Sequence, residues 1–335
     1  MLLSVIASVA LAATPSARPA DSSTDAFAEW HADELMPWCI SEARTGSFRG
    51  RDKVDLAYAS FVDGDNSNGT LIISSGRTES WVKYCEVIYD LQDLGMDIWI
   101  VDHRGQGFSD RMLKNTDKGY VDSFDDYVKD FEEFVEDVVC VSESDDVYIL
   151  GHSMGGAIAT RYTAGNESMV DGLVLSAPMF EVKAPPLSES VAYWTAWAAL
   201  WWFGDDYLPG GGDYYDYSFD GNGVTNSTGR FTAHKNLESV YPATQMGSAT
   251  YRWLYEAIDK TIEIDDMGKG FSVPTLLLSA GKDERVSPGR QKDFCANADD
   301  CEFVNFSSGA HELMNDVDSI RDDVMDEVKG FFGAS

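Results

Sequence analysis

Apolar residues along this chain gather in short runs separated by polar stretches that contain glycine. The run at 54–61 alternates apolar and polar positions, which is the pattern of a half-exposed β-strand. The other runs are mostly apolar and short, and they predict buried strands. They lie at residues 70–74, 97–101, 147–150, 172–176, 274–279 and 303–306.

Helical patterns fill most of the intervals between these runs. Ser80 can cap a helix over residues 80–94 that closes at Gly95, and Ser123 can cap another. The second helix has an apolar face, formed by Phe124, Val128, Phe131, Val135 and Val138. Further helical segments are expected within 21–50, at 157–164 and at about 319–332, and a turn is expected at 63–66. Strands that alternate with helices predict an α/β fold, with a mainly parallel sheet and helices on both faces.

The run at 147–150 leads directly into a G-x-S-x-G motif at residues 151–155, centred on Ser153. A helical segment follows at once. A strand, a sharp turn holding serine and then a helix form the nucleophile elbow of an α/β-hydrolase. Gly151 and Gly155 keep Cβ atoms away from the point where strand and helix nearly touch. An ordinary glycine-rich turn is the alternative interpretation, but the strand–turn–helix context favours Ser153 as a nucleophile.

A serine nucleophile requires a histidine base, and the base requires a carboxylate that orients it. Of the five histidines, His311 follows the last predicted strand, in the loop before the last helix, where such a base is expected. Asp283 comes just after the strand at 274–279, with Glu284 beside it as second choice. The order Ser153, Asp283, His311 is that of α/β-hydrolases. A solvated loop histidine is the alternative for His311.

An oxyanion hole requires two backbone N–H groups. Met154 follows the nucleophile and should supply one of them. The loop after the strand at 70–74 should supply the other, and we assign it to Arg77. The side chains of Arg77 and Glu79 could simply pair with neighbours on the surface.

The segment at about 178–270 interrupts the alternation of strands and helices. So long a departure indicates a subdomain or a lid inserted into the domain. Val191, Trp194, Ala198 and Trp201 recur there at helical spacing, and Trp194, Trp197 and Trp201 are the candidate substrate-binding residues. They could line a channel for an acyl chain, or they could only attach the lid to the core.

Net charge, the N-terminal residues and the cysteines limit the classes of binding partner and indicate the cellular compartment. The net charge of −32 argues against binding to nucleic acid and against attraction to anionic membranes by charge. Residues 1–20 predict a signal peptide and processing region, with Ala10-Leu11-Ala12 as the cleavage site, and 21–335 predict the hydrolase domain. Export to the periplasm or medium would allow a Cys295–Cys301 disulfide; a cytoplasmic or inner-membrane-associated protein is the alternative. The spacing of Cys and His residues predicts no metal site.

Several motifs together resemble the bacterial lysophospholipase family, in the monoglyceride-lipase-like branch of the α/β-hydrolases. The GRTES and DHRGQGFS motifs carry most of the resemblance, and the GHSMGG elbow, the APMF run, TYRW and Tyr84 add to it. These motifs lie at 76–80, 102–109, 151–156, 177–180 and 250–253. Within the second motif, Asp102 and Arg104 are interpreted as structural residues that hold the loop.

The resemblance implies a serine hydrolase of carboxylic esters that needs no cofactor and releases a fatty acid from a single-chain glycerolipid. A lipid substrate also implies contact with a membrane surface. Two close alternatives keep the same machinery, a monoacylglycerol lipase and a general carboxylesterase. Related sequences are also described as serine aminopeptidases, which would need a pair of carboxylates for the substrate amine. A non-catalytic lipid-binding module is a further alternative, and the oligomeric state is left open.

Overall fold

The structure, a computed structural model, describes residues 13–62, 67–141 and 146–333. The apolar part of the predicted signal peptide, at 2–12, and the predicted turn at 63–66 lie outside the described residues.

The described residues form one eight-stranded sheet, and its order is β1-β2-β4-β3-β5-β6-β7-β8. Its strands are β1 Arg44–Arg49, β2 Asp55–Phe61, β3 Thr70–Ser74, β4 Asp97–Val101, β5 Val147–His152, β6 Gly172–Ser176, β7 Thr275–Ala280 and β8 Cys301–Phe306. β2 is antiparallel to both β1 and β4, and all other neighbours are parallel. The predicted α/β fold with a mainly parallel sheet is therefore confirmed. The sequence did not predict β1, because it is a polar edge strand in which only Phe48 carries a large apolar side chain.

Ten α-helices surround the sheet within the described ranges. They are α1 Asp25–Trp30, α2 Met36–Glu42, α3 Cys85–Leu91, α4 Phe124–Glu133, α5 Met154–Gly165, α6 Glu189–Phe203, α7 Thr228–Val240, α8 Tyr251–Met267, α9 Pro288–Asn297 and α10 Asp318–Gly333. Ser123 caps α4 as predicted, because its side chain accepts a hydrogen bond from Asp125 N. The prediction for Ser80 is wrong: its hydroxyl donates to Asp102 instead, and a 3-10 turn precedes α3.

Successive residues of the central strands face opposite layers of the core. In β3, Ile72 joins the cluster beneath α4, α5 and α8, whereas Ile73 joins the cluster beneath α3 and α10. Leu277 and Leu278 of β7 divide in the same way. Complete burial of such a side chain contributes about 1.5–3 kcal/mol. Helices therefore cover both faces of the sheet. Polar residues at the carboxyl ends of its strands are held in place by this rigid core.

The predicted insertion at about 178–270 corresponds to the chain between β6 and β7, which carries α6, α7 and α8. α6 rests on α8 through Ala192 and Ala196, which contact the cluster containing Leu254 and Ile258. Within the described residues, no helix is long and apolar enough to cross a membrane.

Candidate active site

The turn between β5 and α5 holds Ser153 in an unusual backbone conformation, with φ 51° and ψ −118°. A positive φ costs a non-glycine residue energy and is retained where the surroundings impose it. The surroundings are tight: a Cβ on Gly155 would overlap the carbonyl oxygen of Ser74, and one on Gly151 would lie 2.7 Å from Gly156 Cα. Glycine at both positions therefore lets strand and helix approach closely enough to present the Ser153 hydroxyl.

The structure brings the three residues predicted as a triad into one hydrogen-bonded chain. His311 Nε2 lies 2.8 Å from Ser153 Oγ, and His311 Nδ1 lies 2.7 Å from Asp283 Oδ2. The other carboxylate oxygen of Asp283 accepts the N–H groups of Arg285 at 2.7 Å and Val286 at 3.0 Å. All three side chains are buried. This geometry allows the hydroxyl proton to pass to His311 while Asp283 holds the ring in place.

Burial alone would raise the pKa of Asp283, but its hydrogen bond and electrostatic attraction to His311 and the two backbone donors lower that pKa below its ordinary value. The carboxylate is therefore held ionised. An ionised Asp283 favours the tautomer with the proton on Nδ1, which leaves Nε2 free to accept the Ser153 proton.

Loops at the carboxyl ends of three strands place the triad. Ser153 follows β5, Asp283 follows β7 and His311 follows β8. The last two loops are joined, because Lys282 N donates to Gly309 O at 3.0 Å. The His311 loop is also held by Asp316, whose Oδ2 accepts Ala310 N at 2.8 Å.

Both predicted oxyanion donors lie near Ser153, since Met154 follows it and Arg77 borders the same cavity. Met154 begins α5, so its N–H has no carbonyl partner one turn earlier in the helix. Around Arg77, Gly76 N donates to Glu79 Oε2 at 2.6 Å and Thr78 N donates to a Gln106 side-chain oxygen at 3.2 Å. Among the described residues, the N–H of Arg77 itself has no hydrogen-bond partner. The hydrogen bonds of Gly76 N and Thr78 N thus fix the loop on both sides of the unpaired Arg77 N–H.

The side chains of Arg77 and Glu79 do not pair with neighbours on the surface. Glu79 is buried, and its oxygens accept Lys83 Nζ at 2.7 Å and the Tyr84 hydroxyl at 2.6 Å. The Arg77 guanidinium instead donates to Gly247 O at 3.1 Å and covers the ring of Trp253.

A buried ionic cluster next to the triad was not anticipated. Lys83 Nζ lies 2.7 Å from both Glu79 Oε1 and Glu312 Oε1. Burial favours neutral Lys83, but the two carboxylates raise its pKa above the ordinary range. Lys83 in turn lowers the pKa of Glu79 despite its burial. One ammonium and two carboxylates leave this cluster with a net negative charge. The available signal was position in the sequence, because Glu79 lies in the GRTES motif and Glu312 follows His311.

The place of His152 as second residue of the motif predicts that its side chain points away from the Ser153 hydroxyl. Its Nδ1 lies 3.0 Å from Ser176 O, and its ring centre lies 5.0 Å from that of His311. Burial lowers the pKa of His152 below its ordinary value, so the ring is neutral near pH 7.

Asp102 and Arg104 are both buried and hold loops together. Asp102 accepts hydrogen bonds from the Ser80 hydroxyl and from Trp81 N. Arg104 pairs with Asp130. These contacts agree with the interpretation of Asp102 and Arg104 as structural residues.

A cavity of about 530 Å³ opens above Ser153 and His311. Side chains from the insertion line part of it, including Met179, Leu208 and Trp253. No group of three or more metal-binding side chains occurs in the described part of the chain.

The expectation that Trp194, Trp197 and Trp201 line an acyl channel is wrong. These tryptophans are absent from the wall of the cavity, and 61%, 43% and 72% of their respective surfaces are exposed. Helix α6 turns its alanines toward α8, because small side chains let the two helices approach closely. The bulky rings then point to solvent, so they do not attach the lid to the core either.

Comparison with known proteins supports these assignments of fold and chemistry. The family described as serine aminopeptidase, S33, matches residues 65–318. Lysophospholipase L2 of Escherichia coli K12 is 32% identical over 294 residues, covering 85% of this chain and 86% of that protein. The probable lysophospholipase L2 of Haemophilus influenzae is 26% identical and covers 91% and 96%. In fold, the chain is similar to a soluble variant of Saccharomyces cerevisiae monoglyceride lipase, with a TM-score of 0.68, 17% identity and coverage of 88% and 94%.

Proposed function

Since the chain belongs to the serine aminopeptidase S33 family of α/β-hydrolases, we propose that it is a carboxylic ester hydrolase that releases a fatty acid from single-chain glycerophospholipids. The observation that carries this proposal is the hydrogen-bonded chain Ser153–His311–Asp283 facing a cavity of about 530 Å³. Full-length similarity to lysophospholipase L2 supports the lipid class.

The geometry suits a two-step acyl transfer. Ser153 Oγ attacks the ester carbonyl carbon while His311 Nε2 takes its proton, and Asp283 stabilises the resulting imidazolium. The N–H groups of Met154 and Arg77 donate to the carbonyl oxygen as it becomes an oxyanion. His311 then protonates the departing glycerol oxygen. Water, deprotonated by the same ring, hydrolyses the acyl-enzyme and frees the fatty acid.

The aminopeptidase alternative is less well supported by the described residues. A substrate ammonium would need a carboxylate that is not already neutralised. On the cavity wall, Glu79 and Glu312 already bind Lys83, and Glu238 binds Lys235. The acidic residues of the insertion that could supply such a carboxylate are exposed. They are Asp205, Asp206, Asp213 and Asp216.

A substrate panel tests the proposal. Lysophosphatidylethanolamine, monoacylglycerol, p-nitrophenyl esters and aminoacyl amides would be assayed side by side with the full chain. We expect the lysophospholipid to have the highest kcat/KM. If monoacylglycerol were the preferred substrate, ester hydrolysis at Ser153 would stand, but the proposed lysophospholipid substrate would be wrong. Turnover of the amides alone would overturn the proposal. A fluorophosphonate probe should label Ser153, and labelling at a different serine would contradict the assignment.

We also propose that the exposed aromatic side of α6 contacts the lipid surface that holds the substrate. This surface, called here the aromatic face, comprises Trp194, Trp197, Trp201 and Trp202. Trp and Phe side chains insert favourably at the boundary between headgroups and acyl chains. Because the chain has a net charge of −32, apolar contact rather than charge attraction must supply the affinity.

The aromatic face can be tested by sedimentation with uncharged phosphatidylcholine vesicles. The double variant Trp201→Ala and Trp202→Ala should lose vesicle binding and activity on vesicle-held substrate, with unchanged activity on a soluble p-nitrophenyl ester. Val240→Ala, an exposed apolar position on α7, is the control. Equal vesicle binding by the double variant and the control would rule out this surface.

For the compartment, we propose export to the periplasm or medium. Two observations support an oxidising environment: Cys295 is bonded to Cys301, as the sequence allowed, and Cys39 is bonded to Cys85. Of the five cysteines, all of which lie within the described residues, Cys140 alone is free. Intact-mass analysis of protein from its native cells should show cleavage near Ala13 and one reactive thiol. A chain that keeps Met1 and has five free thiols would place the protein in the cytoplasm.

A further inference from the structure

Four lysine and arginine side chains border the cavity above Ser153, and only one of them is neutralised by carboxylates of the described residues. Lys83 is paired with two carboxylates. For Arg77, Lys183 and Arg285, which also line the cavity, no carboxylate lies within ion-pair distance in the part of the chain that the structure describes. Acidic residues outnumber basic ones by 57 to 25 in this chain, so a neutralising partner would be easy to supply. Three uncompensated cations around one cavity therefore indicate an anionic ligand group.

Each of the three cations is positioned by a neutral backbone carbonyl. Arg77 Nη2 donates to Gly247 O at 3.1 Å, Lys183 Nζ to Asp283 O at 2.6 Å, and Arg285 Nη2 to Asn222 O at 2.9 Å. A carbonyl fixes the direction of the side chain and leaves its charge uncancelled. Since an arginine has five N–H donors and a lysine three, most donors remain free for a ligand. The Nε of Arg77 is among them.

Lys183 and Arg285 form a pair on one side of the cavity. Their chain segments are adjacent, because Lys183 N donates to Arg285 O at 2.9 Å and Val182 bridges Val286. The same loop holds the triad carboxylate, since Arg285 N donates to Asp283. Any group held by this pair therefore lies beside the catalytic centre.

Arg77 reaches the cavity from a different loop, the one that offers the oxyanion N–H. Desolvation, together with the charge of Arg285, lowers the pKa of Arg77 to about 10, partly opposed by Tyr127. Both guanidinium groups line the cavity above Ser153, although they belong to loops after β3 and β7. An anion bound in this cavity would be attracted by both groups and would lie near the carbonyl that Ser153 attacks.

A phosphodiester fits this arrangement. Guanidinium groups bind phosphate oxygens through paired hydrogen bonds, and lysine adds a point charge. In a single-chain phospholipid the phosphate is separated from the scissile ester only by the glycerol carbons. A monoacylglycerol has an uncharged hydroxyl at that place, which would leave the cations uncompensated.

We propose that Arg77, Lys183 and Arg285 form a phosphate-binding subsite that selects single-chain phospholipids over monoacylglycerols. The subsite rests on the proposed function, because it acts on the head group of an ester cleaved at Ser153. It assigns head-group selection to the loops that also hold the triad, rather than to the helices of the insertion.

The test compares two substrates with the same acyl chain, a lysophosphatidylethanolamine and a monoacylglycerol, both below their critical micelle concentrations. The measured ratio is kcat/KM for the first divided by kcat/KM for the second. Arg285→Gln and Lys183→Gln should each lower this ratio about tenfold, since a hydrogen bond to a charged group contributes roughly this much. The double variant should lower it further. Lys282→Gln, an exposed neighbour outside the cavity wall, is the control and should leave the ratio unchanged.

A second measurement separates the two sources of a phosphate group. Glycerophosphoethanolamine should inhibit monoacylglycerol hydrolysis by the unmodified protein more strongly than inorganic phosphate does, and Arg285→Gln should weaken that inhibition. Stronger inhibition by inorganic phosphate would show a general anion site instead. An unchanged ratio in both variants, or equal losses on both substrates, would overturn the subsite while leaving Ser153 chemistry in place. By contrast, absence of turnover of either lipid by the unmodified protein would overturn the proposed function itself.

Discussion

Helices α5 and α6 are both rich in apolar residues, yet they have opposite environments. Nine of the twelve residues of α5 are buried, against two of the fifteen residues of α6. α5 follows directly from the central strand β5 and lies on the sheet, where glycine and alanine permit close contact. α6 belongs to the insertion and contacts α8 along a strip that contains Ala192, Ala196 and Tyr193. Apolar composition therefore did not decide burial in this protein; the attachment of the helix to the sheet did.

The largest expected effect concerns activity at the start of α5. Ser153→Ala should lower kcat by about 10⁴–10⁶, because triad members act as a unit. The melting temperature should stay near that of the unmodified protein, since only a hydroxyl is removed. Steady-state hydrolysis and calorimetry check both parts. Activity retained within tenfold would show that another residue is the nucleophile.

A second test compares two glycines of α5. Gly155→Ala should destabilise the protein by about 3 kcal/mol, at the upper end of the cost of overpacking, because its Cβ would meet the backbone of Ser74 and Ser75. Gly165→Ala lies at the end of the same helix with nothing within 4 Å. It should be neutral or slightly stabilising, since alanine favours helix over glycine. Urea denaturation of the two variants provides the measurement, and similar stabilities would contradict the close strand–helix approach.

A third test addresses the strip that attaches α6 to α8. Ala196→Leu should lower the free energy of unfolding by about 1–3 kcal/mol, because the larger side chain separates the two helices. Val191, an exposed position on the same helix, provides the matched control, and Val191→Leu should have little effect. If thermal unfolding of Ala196→Leu matched that of Val191→Leu, the helix would not rest on this strip.

The smallest effect is expected on the outer side of α6. Trp201→Ala should change the free energy of unfolding by no more than about 0.5 kcal/mol, as is usual at exposed positions, because 72% of the Trp201 surface is exposed. A buried aromatic side chain replaced by alanine would instead cost about 3–5 kcal/mol. Denaturation in the absence of lipid distinguishes these values, and a loss in the larger range would mean that the ring packs against the protein.

Local signals in the sequence predicted the sheet and the three triad candidates, because each strand, and each residue just past a strand end, is recognised from its neighbours in sequence. A strand followed by G-x-S-x-G can place Ser153 in only a few ways, and residues just past parallel strands meet at one edge. This reasoning placed Asp283 and His311 correctly beside Ser153. It did not reveal Lys83 between Glu79 and Glu312, because their proximity depends on how separate loops meet in space.

The α/β alternation, the turn at Ser153 and the order of the triad follow from the sequence, since each depends on local periodicity or on strand ends. The direction of the tryptophans of α6 and the convergence of Arg77, Lys183 and Arg285 on one cavity depend on tertiary packing. A helix that is apolar on all sides gives no indication of its buried face. Likewise, charges on loops far apart in sequence acquire a shared role only when the sheet brings those loops together.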